Sequence, residues 1–414
     1  MANFHVETVR SKFPALTEDQ VFFDNAGGSQ TLGTVIEAIR DYLSRNNVQL
    51  GASYKTGKLS TERYDAGFTA GARYINANES EIVFGASTTQ LFRNVSFALD
   101  FEKGDEIIVS SIDHEANIAP WVDLAARQKL VLKWWTPSLT ASSSASLNNT
   151  NPNPQLLPSS LNPLLTSRTR LVACTHASNI LGTINPIASI AAAVRAGPSP
   201  DALVVVDGVS YAPHRPIDVR ALGVDVYAFS WYKVYGPHIA MLYASPRAQA
   251  QMRSLGHFFK KGVTLEEKIH QTVGLAGASY ELMASIPAVT AYLEPSQWPA
   301  MMAQEQNLQA AVLSYLTSRP DVTIYGDAGS DAEKRVPTIS FVVAGRKSQD
   351  VVVAVESATN FGFRWGAFYS ERLIKGLLGL DDDGIVRVSM VHYNSLEEVE
   401  RFIDAMETYV PRKA

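Results

Sequence analysis

One lysine, Lys233, lies in an aromatic and apolar stretch of the chain, AFSWYKVYGPHIAMLY at residues 228–243. A charged lysine is rarely buried without a partner, and burial lowers the pKa of its amine. A neutral lysine amine is a nucleophile that can form a Schiff base. This stretch therefore predicts either a paired cation or a reactive amine, and the surrounding residues decide between the two.

A carboxylate, Asp207, ends the apolar run ALVVVD in the strand-like segment before Lys233. An ionised carboxylate at the end of a buried strand needs a cationic partner, and a metal, an arginine or a protonated heterocycle would each serve. Neighbouring parallel strands bring their carboxyl ends to one edge of a sheet. We therefore expect Asp207 and Lys233 to face the same crevice.

Two further strand ends carry polar residues. Thr88 and Thr89 follow EIVFGAS, where hydroxyl groups that open a helix suit a phosphate, although an ordinary helix cap is also consistent. His114 follows EIIVSSID, a position at which histidines are more often structural than catalytic. An amine, an acid and a phosphate cradle in one crevice describe a site for pyridoxal phosphate, in which the acid keeps the pyridine nitrogen protonated.

The elements that must position these residues alternate along residues 80–245. Apolar, β-branched runs of strand length alternate with helix-like segments, and this pattern predicts a parallel sheet covered by helices on both faces. A Ser-, Asn- and Pro-rich stretch at 137–167 predicts a surface insertion. From about residue 280, a long helical stretch, SYELMASIPAVTAYLE, and three more strand-like runs predict a smaller α+β domain. The strand-like runs of the first part are EIVFGA, EIIVSS, VLKWW, RLVACTH, ALVVVDG and VYAFSW.

The composition is typical of a soluble globular protein, with 46% apolar and 19% charged residues. The net charge of −5 provides no basic surface for nucleic acid or anionic membrane. Cys174 is the only cysteine, which excludes an intrachain disulfide and a thiolate metal cluster. No segment has the pattern of a signal peptide or a membrane span, so we expect a cytoplasmic protein without a metal and without membrane partners.

Six motifs identify a resemblance that covers residues 5 to about 405. The chain resembles the class V aminotransferase and cysteine desulfurase family of fold type I pyridoxal phosphate enzymes, and within it the Suf-type desulfurase-like branch. The resemblance implies an α/β fold with a large domain at 21–278 built on a mostly parallel seven-stranded sheet. It also implies a small α+β domain at 279–414, an N-terminal segment at 1–20 that packs with the small domain, and a homodimer with shared active sites. The motifs are VFFDNAGGSQ, EIVFGASTTQ, DHEANIAPW, THASNILGTINPI, VVVDGVSYAPHRPIDVRALGVDVYAFSWYKVYGPH and VRVSMVHYNSLEEVERFI.

The resemblance implies a role for each matching residue. Lys233 would form the internal aldimine and act as the base at Cα, Asp207 would pair with the pyridine nitrogen, and His114 would stack on the ring as a second catalytic residue. Arg387 would bind the substrate carboxylate, for which a guanidinium is suited because it can pair bidentately. The implied cofactor-binding residues are Thr88, Thr89, His114, Asn179, Asp207, Ser210, Ser230, Tyr232 and Lys233, and the implied substrate-binding residues are Asn25, Tyr54, Trp365, Tyr369 and Arg387.

The chain departs from the family pattern where desulfurases carry the cysteine that accepts sulfur. The corresponding loop, FGFRWGAFYSERL, has Tyr369 at that position, and Cys174 belongs to a strand instead. The family's histidine before the lysine is Tyr232, which still donates a hydrogen bond, and a glutamine or histidine is replaced by Ser210. The Gly-Thr segment that reaches the partner's phosphate has only weak candidates, Thr264 and Thr272.

These features predict an enzyme that acts at Cα of an L-amino acid or an amine-bearing derivative, through the internal aldimine and a quinonoid. A lyase or a Mannich-type cyclase of secondary metabolism, such as alkaloid biosynthesis, is favoured because the sulfur acceptor is missing. Cysteine desulfurase or C–S lyase activity, epimerisation, and a non-catalytic binding protein of the same fold are the alternatives. A bulky substrate is suggested by aromatic residues around the site, although plain packing explains several equally well: Tyr54, Trp231, Tyr232, Trp365, Phe368 and Tyr369.

Overall fold

A computed structural model of the chain describes residues 5–139, 151–256, 269–274 and 277–412. The predicted insertion at 137–167 therefore lies partly outside the described residues, and so does Thr264. The strands are β1 Val21–Phe22, β2 Ile82–Gly85, β3 Glu106–Ser110, β4 Val131–Trp135, β5 Thr169–Thr175, β6 Leu203–Asp207, β7 Val226–Ser230, β8 Ala240–Ala244, β9 Val322–Tyr325, β10 Thr338–Val343, β11 Phe361–Gly362, β12 Arg364–Gly366 and β13 Ile385–Ser389.

Helices lie between most of these strands. Short 3₁₀ turns occur as well, and one of them, Trp231–Lys233, follows β7 directly. The α-helices are α1 Val6–Arg10, α2 Gly33–Arg45, α3 Lys55–Tyr74, α4 Thr88–Ala98, α5 Ala119–Gln128, α6 Pro158–Leu161, α7 Ile187–Ala196, α8 Val219–Leu222, α9 Pro246–Gln249, α10 Ile269–Thr272, α11 Tyr280–Met283, α12 Ile286–Tyr292, α13 Trp298–Thr317, α14 Ser348–Glu356 and α15 Leu396–Tyr409.

The central sheet has seven strands in the order β2-β8-β7-β6-β5-β3-β4. Its strand pairs are parallel except at β8, which runs antiparallel to both β7 and β2. Every residue of β6 is buried, because alternate side chains enter hydrophobic clusters on opposite faces of the sheet: Val204 and Val206 enter one, Leu203 and Val205 the other. The mostly parallel seven-stranded sheet expected from the resemblance is therefore confirmed.

The register of this sheet brings the polar strand ends together. Thr175 pairs with Asp207 across β5 and β6, and Asp207 pairs with Ala228 across β6 and β7. Strand β7 ends at Ser230, and the turn that follows presents Lys233. The two residues of the expected crevice thus leave neighbouring strands at the same edge, as parallel pairing requires.

The C-terminal part is a four-stranded antiparallel sheet in the order β12-β13-β10-β9, whose core also takes in residues of α13, α14 and α15. Strand β1 pairs in parallel with β11, with Val21 opposite Phe361. In the N-terminal segment, Arg10 donates to Glu398 on α15 at 2.7 Å. Residues 5–22 therefore contact this part of the chain, while the predicted division at residues 20 and 278 stays a prediction.

The stretch SYELMASIPAVTAYLE is not the single long helix that its composition suggests. It forms α11 and α12, which are separated at Ala284 and Ser285. Pro287 occupies the first turn of α12, where its missing N–H is tolerated, whereas in a helix interior it would remove a hydrogen bond and clash with the preceding turn. Across the described part of the chain, no helix combines the length and the apolar character that a membrane span requires.

Candidate active site

A cavity opens at the carboxyl-end edge of the central sheet. The structure brings all nine expected cofactor-binding residues to its wall. The lining residues are Ser87, Thr88, Thr89, His114, Ala116, Thr175, Asn179, Asp207, Val209, Ser210, Ser230, Tyr232 and Lys233.

Lys233 is a buried amine, with 8% of the residue exposed. Burial and, to a smaller extent, the Arg387 cation lower the pKa of this amine to about 8, while Asp207 and Asp24 act in the opposite direction. Desolvation disfavours the charged form, so a sizeable fraction of the amine is neutral near neutral pH. The structure therefore favours the reactive amine over the paired cation.

Asp207 ends β6 and is buried at the cavity wall. Its Oδ1 accepts a hydrogen bond from the Val209 N–H at 2.9 Å. Burial raises the pKa of this carboxyl to about 6, against the hydrogen bond from Val209 and the charge of Lys233. The next residue must be glycine, because a Cβ on Gly208 would lie 2.2 Å from the ring of Tyr227. The backbone after Asp207 therefore lies closely against the Tyr227 ring of the neighbouring strand β7.

Hydroxyl groups cluster at the start of α4. Ser87 caps this helix and accepts a hydrogen bond from the Gln90 N–H at 3.1 Å, which is the ordinary cap that the sequence left open. The Thr88 and Ser230 hydroxyls lie 2.7 Å apart. Tyr232 reaches the same cavity, and its ring stacks on His238 with centroids 4.9 Å apart. Hydroxyl donors and the positive end of a helix together suit an anionic group such as a phosphate.

His114 is neutral near pH 7. Burial and, to a smaller extent, the Lys233 and Arg387 cations lower the pKa of the imidazole to about 4. Its Nδ1 accepts a hydrogen bond from the Ala116 N–H at 3.0 Å, so the ring is fixed at one edge. His114 lines the cavity, and its stacking on the cofactor ring stays a prediction.

Arg387 on β13 is buried but does not line the cavity itself. Its Nη2 pairs with Asp24 at 2.7 Å, and its Nη1 donates to the Asn179 carbonyl at 3.3 Å. The ring of Phe368 covers the guanidinium at 3.7 Å. Its Nε is buried without a hydrogen-bond partner among the described residues. The guanidinium therefore has an unused donor next to a residue of the cavity wall.

The amide of Asn179 is occupied by the loop after β12. Its Nδ2 donates to the Phe368 carbonyl at 3.1 Å, and its Oδ1 accepts from the Ser370 hydroxyl at 3.1 Å. The predicted contact between Asn179 and the cofactor ring stays a prediction. The sequence marks Phe368 only as an aromatic residue and gives no indication of Ser370. No local sequence pattern predicts the hydrogen bonds of Phe368 and Ser370 with Asn179, which is about 190 positions away.

The other expected substrate-binding residues lie at different distances from the cavity. The Tyr369 ring lies 5.3 Å from that of His114, between ring centroids. Trp365 on β12 packs partly against the C-terminal core. Asn25 donates to the carbonyls of Phe22 and Ser389, and Tyr54, 54% exposed, precedes α3. Of these four, the structure brings only Tyr369 next to a cavity residue through a described contact.

Three residues noted in the sequence pack in the interior. Trp231 belongs to the hydrophobic core and lies against Phe229, which fits the packing alternative. Cys174 on β5 is fully buried, and burial raises the pKa of its thiol well above the usual range. Thr272 is buried on α10. These side chains have no access to the cavity, whose lining residues are others.

The residues present fit pyridoxal phosphate. The buried amine of Lys233 has no hydrogen-bond partner among the described residues, so it is available for covalent attachment to the cofactor. Asp207 would hold the ring nitrogen, His114 would lie on the ring, and the hydroxyls of Thr88, Ser230 and Tyr232 would hold the phosphate. The combination of amine, acid and hydroxyl groups is the one that this cofactor requires.

Comparisons with known proteins identify the family of the chain. The sequence model of the class V aminotransferase family matches residues 21–402. The aminotransferase-like protein FGM3 of Gibberella zeae is 54% identical over 98% of both chains. The nonribosomal peptide synthetase-like enzyme fsqF of Aspergillus fumigatus is 39% identical over 97% of this chain, which matches 26% of that protein. The apo structure of a cysteine desulfurase from Thermococcus onnurineus NA1 shares 26% identity over 99% of both chains, with a TM-score of 0.86. The chain therefore belongs to the class V aminotransferase family and is an enzyme that uses pyridoxal phosphate.

Proposed function

We propose that the protein acts at Cα of an L-amino acid or an amine-bearing derivative, as a lyase or as a Mannich-type cyclase that forms a carbon–carbon bond in secondary metabolism. The observation that carries the proposal is the buried amine of Lys233 beside Asp207, without a hydrogen-bond partner among the described residues, in a site where the neighbouring loop presents Tyr369 instead of a cysteine. The fungal relatives support the metabolic setting, since one of them is nonribosomal peptide synthetase-like.

Lys233 is the group that moves a proton in this account. Pyridoxal phosphate, when bound, supplies an electron sink that weakens the bonds at Cα of an attached amine. A lysine whose pKa is lowered to about 8 by burial can take a proton at Nζ and return it near neutral pH. Asp207, with a pKa raised to about 6 by burial, is ionised at the same pH and can hold a protonated ring nitrogen.

Arg387 would bind the carboxylate of the substrate. Its guanidinium already pairs with one carboxylate, that of Asp24, and its buried Nε has an unused donor. A substrate carboxylate would replace or share the Asp24 contact and use the planar fork of donors. Burial in a low-dielectric site strengthens such a pair and excludes water from it.

Formation of a persulfide on the protein is not part of the proposal. The loop that would present a sulfur acceptor has Tyr369, and a phenol does not accept sulfur. Cys174 is buried on β5, and its thiol is held in the neutral, unreactive form because burial raises its pKa. The desulfurase alternative has the likeness to a cysteine desulfurase structure in its favour, but it lacks a thiol in this loop.

A homodimer with shared active sites is also proposed. Helix α2 exposes Ile36 and Leu43, which lie seven positions apart on one face, and Tyr54 is exposed before α3. Exposed apolar side chains grouped on one face are typical of surfaces that a partner covers. Sedimentation of the holoenzyme measures this directly, and a monomer at all concentrations would contradict it.

The experiment that tests the proposed function is a substrate survey with the purified holoenzyme. Each common L-amino acid and several amines with long side chains are added while the absorbance of the bound cofactor is followed. Pyruvate, ammonia, sulfide and alanine are assayed in the same samples, and Lys233→Ala serves as the control. We expect a spectral change and turnover with one substrate class, without sulfide. Alanine formed from cysteine through a protein persulfide would establish a desulfurase, and a protein that responds to no amine would support the non-catalytic alternative.

A further inference from the structure

The loop at residues 366–370, which we call the strap, has an unusual backbone. Phe368 and Tyr369 both have left-handed conformations, with φ of 49° and 59°. Residues other than glycine rarely adopt this backbone conformation, and two such residues in succession persist only where the surrounding structure holds them. Strain of this kind tends to occur where a site must keep a particular geometry. We therefore expect the strap to position a side chain of the site.

Hydrogen bonds to two segments of the cavity wall hold the strap. Asn179 contributes two of them: its Nδ2 donates to the Phe368 carbonyl at 3.1 Å, and its Oδ1 accepts from the Ser370 hydroxyl at 3.1 Å. The Glu115 N–H donates to the Tyr369 carbonyl at 2.8 Å, and the Ser370 N–H donates to the Ala367 carbonyl at 2.9 Å. Both Asn179 and Glu115 come from segments at the cavity wall, so the strap is fixed to the site itself.

The strap places the Phe368 ring over Arg387, with the guanidinium carbon 3.7 Å from the ring centroid. The edges of the same guanidinium are bound by Asp24 and by the Asn179 carbonyl. Its position is therefore restrained within the plane by two hydrogen-bond acceptors and across the plane by one ring. The N–H groups of a guanidinium lie in its plane, so a carboxylate that binds them approaches along the edge, as bidentate pairing requires.

We propose that Phe368 is a positioning residue that fixes the plane of Arg387 for carboxylate binding, and that Ser370 holds Phe368 in place through Asn179. This inference rests on the proposed role of Arg387. Through Arg387, the strap would favour substrates that carry a carboxylate next to the reacting amine. The Phe368 ring acts through its contact with the Arg387 guanidinium, and a contact between this ring and the substrate is not part of the proposal.

The test compares two probes that differ only in the carboxylate, L-alanine and ethylamine. Their apparent Kd values for the holoenzyme are measured from the change in absorbance of the bound cofactor. The variants are Phe368→Ala, Phe368→Tyr, Ser370→Ala and Arg387→Met. Tyr409→Ala, which removes an exposed aromatic residue at the end of α15, is the control. Circular dichroism and cofactor content establish that each variant folds.

We expect Phe368→Ala to weaken L-alanine binding by about three- to thirty-fold, the range that corresponds to loss of a cation–π contact. Ethylamine binding by Phe368→Ala should stay unchanged. Phe368→Tyr should keep the wild-type preference for L-alanine. Ser370→Ala should weaken L-alanine binding less than Phe368→Ala does. If Phe368→Ala keeps the preference while Arg387→Met loses it, the positioning role is wrong and the role of Arg387 stands. If Arg387→Met keeps the preference, the proposed function of Arg387 fails. Should Phe368→Ala not fold, Ser370→Ala decides the outcome: a reduced preference for L-alanine over ethylamine supports the positioning role, and an unchanged preference contradicts it.

Discussion

The lowered pKa of Lys233 predicts how fast the cofactor-free protein takes up pyridoxal phosphate at different pH values. Only the neutral amine attacks the aldehyde of the cofactor, so the rate should follow the neutral fraction of Lys233. The pKa of this lysine is lowered from 10.5 to about 8, chiefly by burial and then by the Arg387 cation. The amine is protonated below this value and neutral above it.

The size of the effect follows from the two pKa values. At pH 7 a lysine with a pKa of about 8 is neutral in about one tenth of the molecules, whereas one with a pKa of 10.5 is neutral in roughly three in ten thousand. Burial therefore raises the concentration of the reactive form about 300-fold. The rate should rise with pH and level off above about pH 8. His114, with a pKa of about 4, does not titrate in this range.

The assay is stopped-flow absorbance of the cofactor-free protein mixed with pyridoxal phosphate, from pH 7 to pH 10. This range starts above the pKa of about 6 at which Asp207 ionises. Arg387→Met removes a cation that lowers the pKa of Lys233, so its profile should shift to higher pH, whereas Asp207→Asn should shift it to lower pH. A rate that keeps rising tenfold for each pH unit beyond pH 9 would refute the burial argument.

Two further predictions concern the walls of the site. Gly208→Ala should lower the free energy of unfolding by about 1–3 kcal/mol in urea denaturation, because its Cβ would overlap the ring of Tyr227. A stability equal to that of the wild type would mean that this backbone can move away. Tyr232→Phe keeps the stacking on His238 and removes only the hydroxyl. It should raise the Kd for pyridoxal phosphate at least about tenfold in a fluorescence titration, the loss expected for one hydrogen bond to a charged group. An unchanged Kd would exclude Tyr232 from the phosphate contacts.

Much of the central sheet and of the cavity wall could be predicted from the sequence because the relevant signals are local. Runs such as ALVVVD and VYAFS show burial on both faces, and the polar residue that ends each run marks the sheet edge. Parallel pairing then brings Asp207 and Lys233 together. The helical stretch after residue 279 was different, because its apolar composition hid the break that Ser285 and Pro287 impose.

The support for Arg387 could not be predicted in this way. Asn179 and Phe368 are 189 positions apart, and Arg387 and Asp24 are 363 positions apart. Side chains brought together by packing of distant elements leave no periodic pattern in the sequence. The pairing of β1 with β11 has the same origin, since those short strands carry little β-strand signal of their own.

The central claim is that Lys233 holds the cofactor covalently, and one measurement tests it most directly. The holoenzyme is reduced with sodium borohydride, which makes the linkage permanent, and is then digested and mapped by mass spectrometry. The account predicts a pyridoxyl group on Lys233 and on no other lysine. A pyridoxyl group on a different lysine, or on none, would contradict it.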